Sequence, residues 1–247
     1  MKFVLLITVV VALLPPPVSA QTRPGPTKAS AARPPEIGQT AVVIDETLSV
    51  LRMRPSLFAE GVHRMRRGRR VQILGITEAD GVKFYKVTVP PRNYGWVQSD
   101  AVFGKFRPGD EERLMKLVQA AEGFEQLEVA VEFFILYPQS ASRPAMLLLF
   151  GDLADAAASR LSRDAASRLN RREMAATGAP AHSYYLNFNM LDRYRKLGIV
   201  FLLNSSTRQY HYDGASWKEV ISKYPASAEA AEARKRLDAL KQKMERR

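Results

Sequence analysis

The sequence predicts a multidomain β + α protein, with a small β-barrel over residues 37–104 followed by an all-α, repeat-like helical domain over 110–247. Two observations carry this prediction. Between Ile37 and Phe103 the apolar residues come in short runs or alternate in period two, as half-buried strands do. After Gly104 the apolar period lengthens to that of a helix, and Gly104–Gly109 separates the two regimes.

Composition limits the chemistry. At 46% hydrophobic and 25% charged residues the 247-residue chain is ordinary globular material. It has no cysteine, which excludes disulfides, thiolate metal sites, a cysteine nucleophile and a lipid-modified N-terminal cysteine. The net charge of +12 is spread along the chain. Such a balance favours anionic polymers or lipid surfaces as neighbours and says nothing about fold.

Taken in order, Met1–Ala20 reads as a secretory signal peptide. Lys2 supplies the positive start, Phe3–Leu14 the apolar run, Pro15-Pro16-Pro17 a helix break and Val18-Ser19-Ala20 a cleavage site. The apolar run is too short to cross a bilayer, which takes about 20 residues. No transmembrane segment is therefore expected after cleavage. Residues 21–36 place Pro24, Pro26, Pro34 and Pro35 among small and polar residues, an extended and disordered linker.

Strands are expected at Thr40–Ile44, Val71–Ile76 and Phe84–Val89. Leu51-Arg52-Met53-Arg54-Pro55-Ser56, the later Gly68, and Tyr94-Gly95-Trp96-Val97 follow one another in an order that resembles the bacterial SH3-like (SH3b) family. The opening departs from the family by lacking the usual glycine before Pro55. The resemblance implies a small barrel that recognises a cell-wall or protein peptide through a groove. Within it Trp96 is expected to pack in the barrel, and Tyr85 and Tyr94 to stand on the rim as a flat recognition surface.

Arg64-Met65-Arg66-Arg67-Gly68-Arg69-Arg70 can be read as an anion-binding patch or as a solvated hairpin turned by Gly68. Alternation along a strand sends neighbouring side chains to opposite faces, which favours the hairpin and leaves Arg66, Arg67, Arg69 and Arg70 an assisting role.

Downstream, Leu114, Leu117, Val118 and Ala121 share a helical face with Asp110 placed to cap it, and Leu127, Ala130, Val131 and Phe134 share the next. Tyr137-Pro138 stops that helix, residues 142–170 form one long rod, and Gly178 to Pro180 breaks it. A third helical group is expected over 187–203 and a fourth over 217–223, before a last helix carrying Ala230, Ala233, Leu237, Leu240 and Met244. Two turns match: Tyr137-Pro138-Gln139-Ser140-Ala141 and Tyr224-Pro225-Ala226-Ser227-Ala228. Tyr194, Leu197-Gly198, Phe201, Trp217 and Pro225 follow the order of a tetratricopeptide repeat (TPR), with an insertion near 205–212. The resemblance implies stacked helices and a docking face; the alternative is an irregular bundle that uses Tyr-Pro as a stop signal.

No catalytic or metal residues are assigned. His63, His182 and His211 are far apart in sequence, and no zinc helix, phosphate-cradling loop or nucleophile elbow occurs. The expectation is an exported, non-catalytic binding or adaptor protein of the bacterial cell envelope, periplasmic or extracellular. It would need no cofactor and would bind a wall peptide or an envelope protein rather than nucleic acid. The alternatives are an anion-binding module for an envelope polymer or lipid surface, and a scaffold that uses the helices alone.

Overall fold

The computed structural model describes residues 34–90, 93–168, 171–178 and 191–245. The expected signal peptide, the proline-rich linker up to Arg33 and His182 lie outside them. Residues 35–247 form one compact unit.

A seven-stranded antiparallel sheet, bent into a half-barrel, precedes a mostly helical region. The strands are β1 Thr40–Val43, β2 Val50–Arg52, β3 Gly61–Arg64, β4 Arg70–Ala79, β5 Val82–Val89, β6 Asn93–Gln98 and β7 Val102–Phe103, in the spatial order β3-β2-β6-β5-β4-β1-β7. Asp80 and Gly81, at φ 53° and 72°, make the two-residue turn between β4 and β5. Such a turn wants positive φ at both positions, and Asp-Gly supplies it at low cost. Ala41, Leu51, Ile73, Tyr85, Val87 and Val97 fill the concave side.

The convex side has two fates. Towards β1 and β7 it is covered: Val42, Ile44 and Phe103 share a core with Leu114 and Val118 of α1 (Asp110–Ala120) and with Leu127, Ala130 and Phe133 of α2 (Gly123–Leu136). Towards β5, β6 and β2 it is covered only in part: Phe84 is fully buried there, whereas Lys86 and Tyr94 are exposed.

The segment that joins sheet to helix is fixed by polar contacts. Arg107 donates through Nε to Asp110 Oδ1 at 2.6 Å and through Nη2 to the Val102 carbonyl at 2.8 Å. Asp110, 2% exposed, accepts the Gly104 amide at 3.0 Å. The Tyr137 hydroxyl donates to the Gly104 carbonyl at 3.2 Å, and burial, aided by the Asp110 charge, pushes that phenol up to about 12. Asp110 is thus not the α1 cap expected from sequence. Gly109 occupies the cap position at φ 81°, and the Asp110 carboxylate turns back to hold the connection.

Helix α3 (Arg143–Arg168) is the expected rod of 26 residues, and α4 (Arg171–Thr177) follows it. The third helical group is a correction. Among the described residues of that group only α5 (Leu191–Lys196) is helical; Gly198, at φ 78°, ends it, and the chain turns into a hairpin of β8 (Phe201–Asn204) and β9 (Gln209–Tyr212). Burial holds the hairpin in place: Tyr210, His211 and Tyr212 are all buried, with Tyr210 paired to Leu203 and Tyr212 to Phe201. The Asn204 side chain accepts the Ser206 and Thr207 amides at 3.0 and 3.2 Å, which closes the turn locally. The region is mixed α and β, not all-α.

Helices α6 (Ala215–Lys223) and α7 (Ala228–Glu245) complete the fold. The two Tyr-Pro turns are built alike. Tyr137 and Tyr224 each donate an amide to the carbonyl four residues back at 2.9 Å, and each accepts from the serine three residues on, at 3.2 and 3.0 Å.

Helix α6 has no side-chain cap of its own kind; the buried Tyr212 hydroxyl instead accepts the Ser216 amide at 2.8 Å. Tyr212→Phe should therefore lower stability by about 0.5–2 kcal/mol, the range for a lost cap. Denaturant unfolding would read this as a lower midpoint at unchanged slope.

His211, 7% exposed, sits where Lys243 of α7 pairs with Asp155 of α3 at 2.9 Å. Burial, reinforced by the Lys243 charge, holds its imidazole below the ordinary value against the pull of Asp155. The unfolded chain takes up this proton near pH 6.5 and the folded chain only below that. Stability should fall as pH drops through that window, and His211→Gln should flatten this part of the profile.

Candidate binding face of the sheet

Strand register sorts the predicted site residues. Tyr85 lies opposite Val97 and Ile76, Lys86 opposite Trp96 and Gly75, and Thr88 opposite Tyr94 and Gln72. Successive side chains alternate between faces, so Tyr85 and Val97 point to the concave core while Tyr94, Trp96, Lys86 and Thr88 share the convex face.

Tyr85 corrects the expected rim pair. Its side chain is fully buried in the core, and burial pushes its phenol up against the pull of Arg107. Two adjacent aromatics, Phe84 and Tyr85, must take opposite faces, and the register sends Tyr85 inward; Phe84 is buried as well. Tyr94 is 60% exposed, as a recognition residue requires. Trp96, expected inside, is half-buried on the convex face beside Tyr94. Across from it on β2 stands Arg52, whose Nη1 donates to the Ala59 carbonyl at 2.7 Å.

The arginine-rich turn separates in the same way. Arg67 is a structural clamp: its side chain is 9% exposed, Nε donates to the Ile44 carbonyl at 2.9 Å, and the guanidinium pairs with Glu125 and with Glu128 (2.9 Å) on α2. It is therefore withdrawn from the candidate binding set. Arg69 donates to the Pro90 carbonyl, and Arg66, Arg69 and Arg70 are exposed. Gly68, at φ 78°, makes the turn as expected, and a Cβ there would meet Glu132 Oε1 at 2.8 Å.

The residues missed from sequence sit in the loop between β2 and β3. Met53 is 63% exposed and Phe58 90%, yet the loop that carries them is anchored throughout. The Met53 amide donates to the Glu60 carbonyl at 3.2 Å, the Phe58 amide to Ser56 Oγ at 3.2 Å, and the Leu57 amide to Asp80 Oδ2 at 2.8 Å. Hydrogen bonds from Ser56 and the Leu57 amide hold the Asp80 carboxyl below its usual range. A rigid loop that presents large apolar side chains to water is arranged for contact with something else. The signal was Leu57-Phe58 between Ser56 and Ala59 with Pro55 two places before, in a stretch too short for periodicity.

Among the described residues no group of three or more His, Asp or Glu side chains is placed to hold a metal ion. His63 is exposed on β3 and His211 is buried on β9. No helix among the described residues is long and apolar enough to cross a membrane. No family model matches the sequence, and neither a curated protein nor a solved structure matches it.

Proposed function

We propose that this is an exported, non-catalytic binding or adaptor protein of the bacterial cell envelope. In this reading the half-barrel is an SH3-like module that recognises a cell-wall or protein peptide, and the helical part docks a partner. One observation carries it: Met53 and Phe58 stand exposed on a loop whose backbone is tied to Arg52 of β2, end to end through Met53 and Glu60, and to the Asp80 turn. Pre-ordering the loop lowers the entropy lost on binding, and an aromatic side chain has few rotamers to give up. The helical part supports a repeat-like reading through its two identically built Tyr-Pro turns, each joining a pair of helices.

The test is the full chain with Met53 and Phe58 both changed to Ser. Both side chains are exposed, so stability should stay within about 0.5 kcal/mol of the parent. Binding to soluble wall stem peptide, followed by titration calorimetry, should be lost. Undiminished binding by this variant would reject the loop as the recognition element.

A further inference from the structure

The open part of the convex face has a chemistry of its own, separate from the apolar loop. Tyr94 and Trp96 lie two residues apart on β6 and therefore side by side on one face, about 7 Å apart along the strand. Lys86, exposed, stands across from Trp96 on β5, and Arg52 stands across from it on β2. Gly75 on β4 lies opposite Lys86 and Gly61 on β3 lies opposite Arg52, so the two positions that end this row carry no side chain. Thr88 and Gln98 supply hydrogen-bonding groups on the flanks.

What the face lacks matters as much. None of the residues with convex parity on β2, β4, β5 and β6 is an aspartate or glutamate. In a chain with 25 acidic residues this leaves an aromatic shelf between two cations with no opposing charge of the same parity on these strands; Glu78 of β4 has the opposite parity. Tyr and Trp faces take up the apolar face of a sugar ring, threonine and glutamine meet hydroxyls, and the cations meet carboxylates.

We propose that this face binds an anionic glycan strand of the uronate type, with Trp96 and Tyr94 under successive rings and Lys86 and Arg52 on its carboxylates. Charge complementarity selects the anionic glycan over a neutral one. The placement of the cations selects it over nucleic acid: a single strand carries a phosphate at every residue and is tracked by a continuous basic groove, whereas here Lys86 and Arg52 flank Trp96, and Arg70, of the same parity on β4, lies towards Glu132 of α2. The assignment rests on reading the chain as an envelope-binding protein and names a ligand class for a face separate from the Phe58 loop.

The experiment titrates the full chain with hexagalacturonate, cellohexaose and oligothymidylate, reading tryptophan fluorescence and heat. Trp217 is buried, so a ligand-dependent signal reports on Trp96, the other of the two tryptophans. Hexagalacturonate should bind and weaken with rising salt, and Tyr94→Ala and Lys86→Gln should each weaken it about tenfold, or 1.4 kcal/mol. Equal affinity for cellohexaose, or tighter binding of oligothymidylate, overturns the proposal. So does hexagalacturonate binding that neither variant changes. Absence of glycan binding with Phe58-dependent capture of stem peptide retained overturns this assignment alone; loss of both removes the envelope-binding reading with it.

Discussion

Trp217→Ala should cost about 3–5 kcal/mol, the range for truncating a large buried aromatic. The side chain is 2% exposed and meets Tyr212 edge-on with ring centroids 5.4 Å apart. It shares a core with Tyr194, Leu197 and Phe201, the residues that the repeat-like spacing placed around it. Its indole nitrogen abuts α3 at Gly151, where a Cβ would be driven against that nitrogen and lie 2.6 Å from Ser216 Oγ. Gly151→Ala should therefore destabilise from the other side of the contact, by about 1–3 kcal/mol for overpacking. Thermal unfolding monitored at 222 nm checks both. A Trp217→Ala protein with an unchanged melting temperature would mean that the indole is not part of the helical core.

Asp110→Ala should be as damaging, at about 3–5 kcal/mol, because it leaves the Arg107 charge without its carboxylate partner and the Gly104 amide without its acceptor. The loss should reach both parts of the chain. Val42, Ile44 and Phe103 on the sheet and Leu127 and Phe133 on α2 belong to one core, and Asp110 fixes the segment between them. Urea unfolding followed by near-ultraviolet and far-ultraviolet dichroism should give coincident curves at a lower midpoint. Two separated transitions, only one of them shifted, would show that the sheet and the helices unfold independently. Asp110→Asn keeps an acceptor oxygen and should recover part of the loss.

Much of the architecture was legible in the sequence because it rests on local pattern. Period two marked β4 and β5 at Val71, Ile73, Val87 and Val89, and the 3.6-residue period marked α1, α3 and α7. The hairpin of β8 and β9 escaped because Phe201-Leu202-Leu203 is a short apolar run, which periodicity cannot assign to strand or helix. The site was harder for a physical reason. A shift of one residue in register exchanges the faces of a strand, so Tyr85 and Trp96 could not be placed until Lys86 was seen opposite Trp96. Arg67 could not be placed either, since its carboxylate partners lie 58 and 61 residues away in sequence.

The half-covered convex face has a consequence for the order of events as the chain is made. A ribosome releases the N-terminal part first, so β1 to β7 can pair while Val42, Ile44 and Phe103 still face water. That apolar strip stays unsheltered until Leu127 and Phe133 have emerged and α2 can close over it. The nascent sheet is at its most adhesive in this interval. Arg67 is already in place beside the strip, and its pairing with Glu125 and Glu128 can guide the arriving helix to its seat.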